Sequence, residues 1–304
     1  MGQTSKAYFT EEEWQTRCDL ATAYNLASLF HWTDLIYTHI SARIPGQENR
    51  FLINPFGLHF HEVTPENLLK INLEGEIFSK SDYGINPAGL VIHSAIHSAR
   101  PDVGAIVHLH TVNGMAVAAL QDGLLPISQH ACHFYGKIAY HEYEGIAVHN
   151  DEKSRLVRNL GTKKVMILRN HGFLTAGLNI ADAFTMMYTL EKAAQVQITS
   201  LSMGLPVVVP SEEVCEKVVK DTGLRGIKNA ETEWQALKRL LPNKQEKKEV
   251  NTLQTRLKPA TLAPLMKNLS LMQLQKVAIN QQNIDTTQCA SYLKGPPASS
   301  VPMA

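Results

Sequence analysis

The sequence predicts a mixed α/β domain in which helices cover a sheet. Helical and strand-like segments alternate from residue 10 to about residue 205, and hydrophobic residues make up 44% of the chain, which is ample for a packed core. After Pro206 this pattern weakens, and from Pro242 onward the chain is polar and poor in aromatic residues. We therefore expect one domain over residues 1–241 and a polar, disordered tail over residues 242–304.

The first elements are predicted from helical spacing and from short β-branched runs between turn residues. An amphipathic pattern begins at Thr10, a capping residue that three glutamates follow. In order, we expect a helix over 10–31, strands over 37–44 and 50–54, a hairpin with strands over 69–73 and 76–78, and a helix over 89–99.

The alternation continues through the second hundred residues. The apolar run Ala105-Ile106-Val107 indicates a strand, and an alanine-rich helix follows it. Asn179 is a suitable N-cap for the longest helix, which we expect to end before Gly204. The remaining predicted elements are helices over 114–120, 151–160, 180–203, 211–220 and 231–241, and strands over 138–140 and 164–168.

Charge and cysteine content restrict the partners and the compartment. The chain carries 29 basic and 28 acidic residues, so we expect no nucleic acid partner and no attraction to an anionic membrane. Its four cysteines form no CxxC pair, which favours free thiols in a reducing compartment. The N-terminal stretch lacks the apolar core of a signal peptide, and no apolar window is long enough for a transmembrane helix. These observations predict a soluble, cytoplasmic protein.

Two short motifs carry the candidate chemistry: VHLHT, which contains His108 and His110, and RNHGF, which contains His171. In a strand, residues i and i+2 point the same way, so the first two histidines can bind one ion. Gly172 would let the backbone approach closely beside the third. Three histidines with an open fourth position are typical of a catalytic site for zinc or another divalent metal, rather than of a closed structural site.

Other histidine pairs are weaker candidates. His59 and His61 lie among turn residues, which favours a polar turn or the lip of a pocket. His130 and His133 would bind a metal only if their segment were helical, and a loop at the mouth of the site is the favoured interpretation. Any one histidine has the simpler alternative of a hydrogen-bonded, half-buried side chain. The sequence has no GxGxxG or P-loop motif and no GxSxG motif.

The motifs resemble those of the class II aldolase and adducin family, in the family's order and spacing over roughly residues 12–205. The matching segments are THISAR (38–43), NPAGLVIHSAIH (86–97), ARPDVGAIVHLHT (99–111), GLLPIS (123–128), LRNHGFLTAG (168–177) and IADAFTMMYTLE (180–191). The resemblance implies a three-layer α/β/α sandwich around a central, mainly antiparallel sheet, assembled as a homotetramer. It also implies a divalent metal, usually zinc, held by His108, His110 and His171.

The chain departs from the sugar-phosphate aldolases of this family at the position of a functional glutamate, where it has Gly89. Two serines that help to hold the substrate phosphate correspond to Pro87 and Ala88, and a phosphate-contacting asparagine corresponds to His39, whereas Gly57 is retained. Aldol cleavage of a phosphorylated ketose needs a proton shuttle and a positioned phosphate. The metal ligands are therefore kept, while a phosphorylated substrate is disfavoured.

Two residues are weak candidates for replacing the missing carboxylate. His93 shares a helix face with Gly89 and with His97, so it would reach the metal or the substrate one turn deeper, unless it packs under the site. Glu144 is a candidate acid, although it is also a suitable turn residue. We expect Glu191 to form a salt bridge at the surface or at an interface.

The favoured function is a metal-dependent lyase that cleaves a C–C bond in a small, non-phosphorylated hydroxy or keto compound, or decarboxylates it. The expected ion is zinc, with Fe2+ or Mn2+ as alternatives, and iron would suit oxygenase-type chemistry. The alternative is a non-catalytic scaffold, because adducins share the asparagine–x–alanine–glycine sequence of residues 86–89 and their head domain joins cytoskeletal filaments. The tail over 242–304 is a candidate binding segment for a protein partner, but it lacks the long lysine-rich end of adducins.

Overall fold

The structure is a computed structural model that describes residues 8–47, 49–147, 150–223 and 227–242. Over these residues the chain folds around a seven-stranded sheet with helices packed on both faces, so the predicted α/β architecture is confirmed. The predicted tail lies outside the described residues apart from Pro242, and the division into domain and tail stays a prediction. Among the helices of the described residues, we find no candidate for a membrane-spanning segment.

The sheet contains seven short strands: β1 (His39–Arg43), β2 (Phe51–Ile53), β3 (Leu69–Ile71), β4 (Ala105–Leu109), β5 (Ile138–His141), β6 (Val165–Leu168) and β7 (Gly172–Gly177). Their spatial order is β3-β2-β1-β4-β7-β6-β5. Every neighbouring pair is antiparallel except β5 and β6, which are parallel. The sheet is therefore mainly antiparallel, as the family resemblance implies.

The described residues form eight α-helices: α1 (Glu11–Leu29), α2 (Pro87–Ala99), α3 (Val112–Ala118), α4 (Gln129–Cys132), α5 (Glu152–Leu160), α6 (Ile180–Ser202), α7 (Glu212–Thr222) and α8 (Ile227–Lys238). Side chains cap several of them, as the sequence indicates. Thr10 accepts a hydrogen bond from the amide of Glu13, and Asn179 accepts one from the amide of Asp182. These caps fix where α1 and the long α6 begin.

Different helices bury the two faces of the sheet, because side chains alternate along each strand. In β4, Val107 and Leu109 pack into a core with α1 and α6, whereas Ile106 packs into a second core with α2 and α5. By the same alternation, His108 lies on the α2 side of β4, and His39 lies on the α2 side of β1. His39 and His108 therefore lie on the same face of the sheet.

The strand β7 is an element that the sequence pattern did not predict. It follows β6 after a turn of three residues, and Leu168 pairs with Gly172 across this turn. Asn170 adopts a left-handed conformation in the turn, with φ 54°, which asparagine tolerates better than most residues. The strand was missed because it begins inside the RNHGF motif, directly after the turn, and this motif was interpreted only as a possible metal-binding segment.

Several further predictions need correction, including the starts of α3 and α8, which precede the predicted residues 114 and 231. The strand predicted over 76–78 is wrong, since this segment makes a single bridge between Ile77 and Ile71. The loop predicted around His130 is instead the short helix α4. Helix α2 begins two residues earlier than predicted, because Asn86 caps it and Pro87 suits the first helical position.

Candidate metal centre

The three candidate histidines meet at the C-terminal end of β4. His108 lies in β4 and His110 directly follows the strand, while His171 lies in the turn between β6 and β7. The pairing of β4 with β7 brings this turn beside His108. Gly172 permits the close approach, because a Cβ atom there would lie 2.5 Å from the carbonyl oxygen of Leu109.

The distances between these side chains fit a bound metal ion. His108 Nε2 lies 3.1 Å from His110 Nε2 and 3.3 Å from His171 Nε2. Two nitrogens that bind one tetrahedral zinc ion at about 2.0–2.1 Å are about 3.3–3.4 Å apart. Among the described residues, these three side chains form the group of potential ligands that lie close enough together to bind one ion. We call this group the candidate metal centre.

Hydrogen bonds to the opposite ring nitrogens orient two of the three histidines. His108 Nδ1 donates to the carbonyl oxygen of Phe173 at 3.0 Å, and His110 Nδ1 donates to Asp34 Oδ2 at 2.9 Å. A carbonyl oxygen and a carboxylate can only accept, so both rings carry a hydrogen on Nδ1, and in the neutral ring this leaves Nε2 bare. Carbonyl and carboxylate partners of this kind commonly orient histidines that bind metals.

Asp34 is a partner of the candidate metal centre that sequence reasoning missed. It lies 76 residues before His110, in a turn after α1, and it belongs to none of the recognised motifs. The chain offers no periodic signal for such a contact, because the fold alone brings the two residues together.

The bare Nε2 atoms face one another in a poorly hydrated place. His108 is fully buried, and the His110 side chain is 16% exposed. Lone pairs 3.1 Å apart repel each other, and a cation between them replaces this repulsion with attraction. The donor set and its orientation therefore fit a divalent ion.

Burial also keeps the His108 and His171 rings uncharged. The pKa of His108 lies well below its usual value, first because of burial and then because of the His171 and His110 rings. Burial, with His110 nearby, lowers the pKa of His171 to about 4. Neutral imidazole is the form that binds metals, so these rings need not lose a proton at neutral pH.

The space beside Gly89, where the family aldolases have a glutamate, is filled by His39. A Cβ atom at Gly89 would lie 2.8 Å from Cδ2 of the His39 ring. The His39 ring lies next to His108, with centroids 5.1 Å apart. His93 lies behind it, with Nε2 2.7 Å from His39 Nδ1 and Nδ1 2.5 Å from Ser41 Oγ. Both nitrogens of His93 are thus occupied, and its role in replacing the glutamate stays a prediction.

The two other carboxylates that the sequence singles out have structural partners. Glu144 is exposed and accepts a hydrogen bond from Arg155 at 2.7 Å; its role as a replacement acid also stays a prediction. Glu191 is buried, which contradicts the expected surface or interface salt bridge. Its carboxylate accepts hydrogen bonds from Thr111 at 2.6 Å and from Asn113 at 2.9 Å, and burial raises its pKa. Glu191 thereby braces the segment that directly follows His110.

The two other histidine pairs, His59/His61 and His130/His133, have different surroundings. His59 and His61 stack with ring centroids 5.7 Å apart, and His59 is exposed. His133 is buried and its Nδ1 lies 3.1 Å from Thr222 Oγ1, which joins α4 to α7. Neither pair belongs to a group of three potential ligands within reach of one ion among the described residues.

The chain matches the family model described as Class II Aldolase and Adducin N-terminal domain over residues 18–198. It is 49% identical to an aldolase II superfamily protein from Pseudomonas syringae of known crystal structure, with a TM-score of 0.74 over 78% of this chain and 96% of that chain. It is 30% identical to an L-fuculose 1-phosphate aldolase from Glaciozyma antarctica, with a TM-score of 0.68 over 79% of this chain and 94% of that chain.

An adducin is similar over the same part of the chain. The identity to alpha-adducin from Rattus norvegicus is 46% over 204 residues, which make up 66% of this chain but 28% of the adducin. The similarity to the adducin therefore concerns one part of a much longer protein.

Proposed function

Because the chain belongs to the class II aldolase and adducin family, we propose that it is a divalent-metal-dependent lyase. It cleaves a C–C bond in a small, non-phosphorylated hydroxy or keto compound, or decarboxylates it. The observation that carries this proposal is the convergence of the Nε2 atoms of His108, His110 and His171, of which the first two are held in the orientation that binds a metal. Zinc is the proposed ion, with Fe2+ or Mn2+ as alternatives.

Each residue of the proposed centre has a distinct part. His108, His110 and His171 hold the ion, and the Phe173 carbonyl and Asp34 keep two of these rings in the binding orientation. When bound, a divalent ion acts as a Lewis acid that polarises a carbonyl or carboxylate group. Three protein ligands leave room for a substrate, as in catalytic rather than structural sites.

A phosphorylated substrate is not part of the proposal. Pro87 and Ala88 have no hydroxyl groups to donate to a phosphate, and Gly89 has no carboxylate to move a proton. The His39 ring instead takes up the space beside Gly89. The substrate named for the fuculose phosphate aldolase is therefore not transferred to this chain, although the fold is shared.

A non-catalytic scaffold is the second candidate. The identity to alpha-adducin supports it, and so does the lack of the aldolase glutamate at Gly89. The oriented Nε2 atoms of His108 and His110 favour the enzyme, since a scaffold does not require ligands with fixed tautomers. The homotetramer, the cytoplasmic location and a protein partner for residues 242–304 remain predictions.

Elemental analysis of the purified full chain tests the proposal. We expect about one divalent ion per chain, as for a single three-histidine site, and loss of this ion in His171→Ala. The matched control is His59→Ala, which removes an exposed histidine and should keep the ion. A panel of small hydroxy and keto acids, followed by NMR, then identifies the reaction. A wild-type protein that neither contains nor takes up zinc, manganese or iron would overturn the lyase and favour the scaffold.

A further inference from the structure

A pair of cysteines lies outside the candidate metal centre. Cys132 in α4 and Cys215 in α7 are 83 residues apart in the chain, yet their Sγ atoms lie 3.7 Å from each other. Both thiols are free, and the two residues are 3% and 0% exposed. We call these two residues the cysteine pair.

The arrangement of the cysteine pair fits a disulfide bond. The sulfurs of a disulfide are about 2.05 Å apart, so these two Sγ atoms have to approach each other by roughly 1.7 Å. Helices α4 and α7 pack against each other and neither is part of the sheet, so a small shift of either helix closes this gap. A metal is a poorer fit, because among the described residues the pair belongs to no group of three potential ligands.

Helix α7 is held to the domain by a narrow face. The structure describes this helix in full, and Cys215 is its one buried residue. Val218, Val219 and Thr222 follow on the same face at helical spacing and are half-buried, and Thr222 Oγ1 lies 3.1 Å from His133 Nδ1. A helix with so few buried side chains opens at a lower free energy than the core, so Cys215 becomes accessible when α7 opens.

The closed arrangement protects the two thiols from reaction. The thiolate is the reactive form of cysteine, and burial in apolar surroundings disfavours it. Burial, followed by the neighbouring Cys215 thiol, raises the pKa of Cys132 above its usual value. Oxidation therefore has to begin from the opened helix, in which Cys215 meets solvent, and is completed when α7 closes and returns Cys215 to Cys132.

We propose that Cys132 and Cys215 form a reversible disulfide bond, with a low-molecular-weight disulfide as the oxidant, and that this bond fastens α7 to α4. The inference stands on the contact between the two sulfurs and on the shallow burial of α7. It does not depend on the proposed lyase.

The reaction consists of two successive thiol–disulfide exchanges. The Cys215 thiolate attacks one sulfur of the oxidant, which forms a mixed disulfide and releases half of the oxidant as a thiolate. The Cys132 thiolate then attacks the Cys215 sulfur, which forms the bond within the protein and releases the second half. Two electrons pass from the protein to the oxidant, and the two protons of the cysteine thiols end on the two released thiols.

Peptide mapping of the folded full chain tests whether the bond forms. The chain is incubated with oxidised glutathione, its remaining thiols are alkylated, and the digest is analysed by mass spectrometry. We expect a peptide that joins Cys132 to Cys215, a mass about 2 Da below that of the reduced chain, and recovery of both thiols with dithiothreitol. A chain that carries only glutathione adducts, or only links to Cys18 or Cys289, would overturn the inference.

The double variant Cys18→Ser/Cys289→Ser is the matched control, because it keeps only the cysteine pair. It should form the bond as readily as the wild-type chain, whereas Cys215→Ser should form no link to Cys132. If Cys215→Ser does not fold, the double variant decides, and failure of its folded form to cross-link overturns the inference.

Hydrogen–deuterium exchange of the double variant tests whether the bond fastens α7. Peptides from α7 should exchange on the order of tenfold more slowly in the oxidised chain than in the reduced chain, while peptides from α1 change little. The midpoint of urea unfolding should rise by about 1 M, since a cross-link over 83 residues restricts the unfolded chain. Unchanged exchange of α7, or a lowered midpoint, would overturn the inference, because the bond would then not fit the folded chain.

Discussion

The candidate metal centre and the histidine row, which consists of His39, His93, Ser41 and His97, are neighbouring groups that differ in their hydrogen bonds. In the metal centre, His108 and His110 donate from Nδ1 to acceptors of the protein, and their Nε2 atoms face each other. In the row, His93 has a partner at both nitrogens. The hydrogen-bond partners of an imidazole therefore decide which of its nitrogens stays free for a cation.

Acceptor-only partners are the decisive feature. A carbonyl oxygen or a carboxylate forces the hydrogen onto the nitrogen it contacts and frees the other nitrogen. A hydroxyl group or a second imidazole can donate or accept, so it does not by itself determine which ring nitrogen carries the hydrogen. This difference makes the two groups separable by mutation, although His39 and His108 lie side by side.

The largest expected effect separates the two groups by metal content. His108→Ala should reduce bound zinc from about one ion per chain to almost none, because two histidines seldom hold zinc alone. His93→Gln should keep the ion, since it removes a member of the row that is not a proposed ligand. Elemental analysis of the folded fraction checks both variants. Loss of zinc in His93→Gln would show that the row and the metal centre are one unit.

The next effect concerns the carboxylate partner of the metal centre. Asp34→Ala should weaken zinc binding by about 10–100-fold, the usual range for loss of a group that orients a metal-binding histidine. Asp102→Ala is the matched control, because this aspartate pairs with Arg100 away from the centre. Competition with a chromophoric chelator measures the affinity. Equal affinities for the two variants would mean that His110 does not need Asp34 for its orientation.

The sequence predicted the contacts that follow from spacing along the chain. His108 and His110 come together because they are two residues apart at the end of a strand, and the caps Thr10 and Asn179 act on their own helices. The pairing of His110 with Asp34, and the packing of His39 against Gly89, join distant segments. No local sequence pattern indicates which distant residues will meet, so these contacts became visible only in the three-dimensional structure.

A third prediction concerns pH and the histidine row. The pKa of His97 falls from 6.5 to about 3 on folding, so below pH 6.5 the unfolded chain binds a proton that the folded chain does not. Stability from this residue is fully present above pH 6.5 and is lost as the pH falls toward 3. At pH 5 the loss is about 2 kcal/mol, at about 1.4 kcal/mol per pH unit.

Urea unfolding of the metal-free chain at pH 7, 6 and 5 measures this loss. His97→Gln should reduce the pH dependence by about one proton, because glutamine does not titrate. His59→Gln controls for the loss of an exposed imidazole. An unchanged pH dependence in His97→Gln would contradict a neutral His97 in the folded chain.

The smallest expected effect tests how firmly the row holds His39 against the metal centre. Gly89→Ala would place a Cβ atom 2.8 Å from the His39 ring, which His93 holds through a 2.7 Å contact. Overpacking costs about 1–3 kcal/mol, while alanine in place of glycine in a helix gains up to about 1 kcal/mol. A net loss on the order of 1 kcal/mol in the free energy of unfolding follows. Gly84→Ala is the control, because a Cβ atom there meets nothing within 4 Å. If Gly89→Ala is as stable as Gly84→Ala, His39 can turn away from Gly89, and the space would then be open for a carboxylate like that of the aldolases.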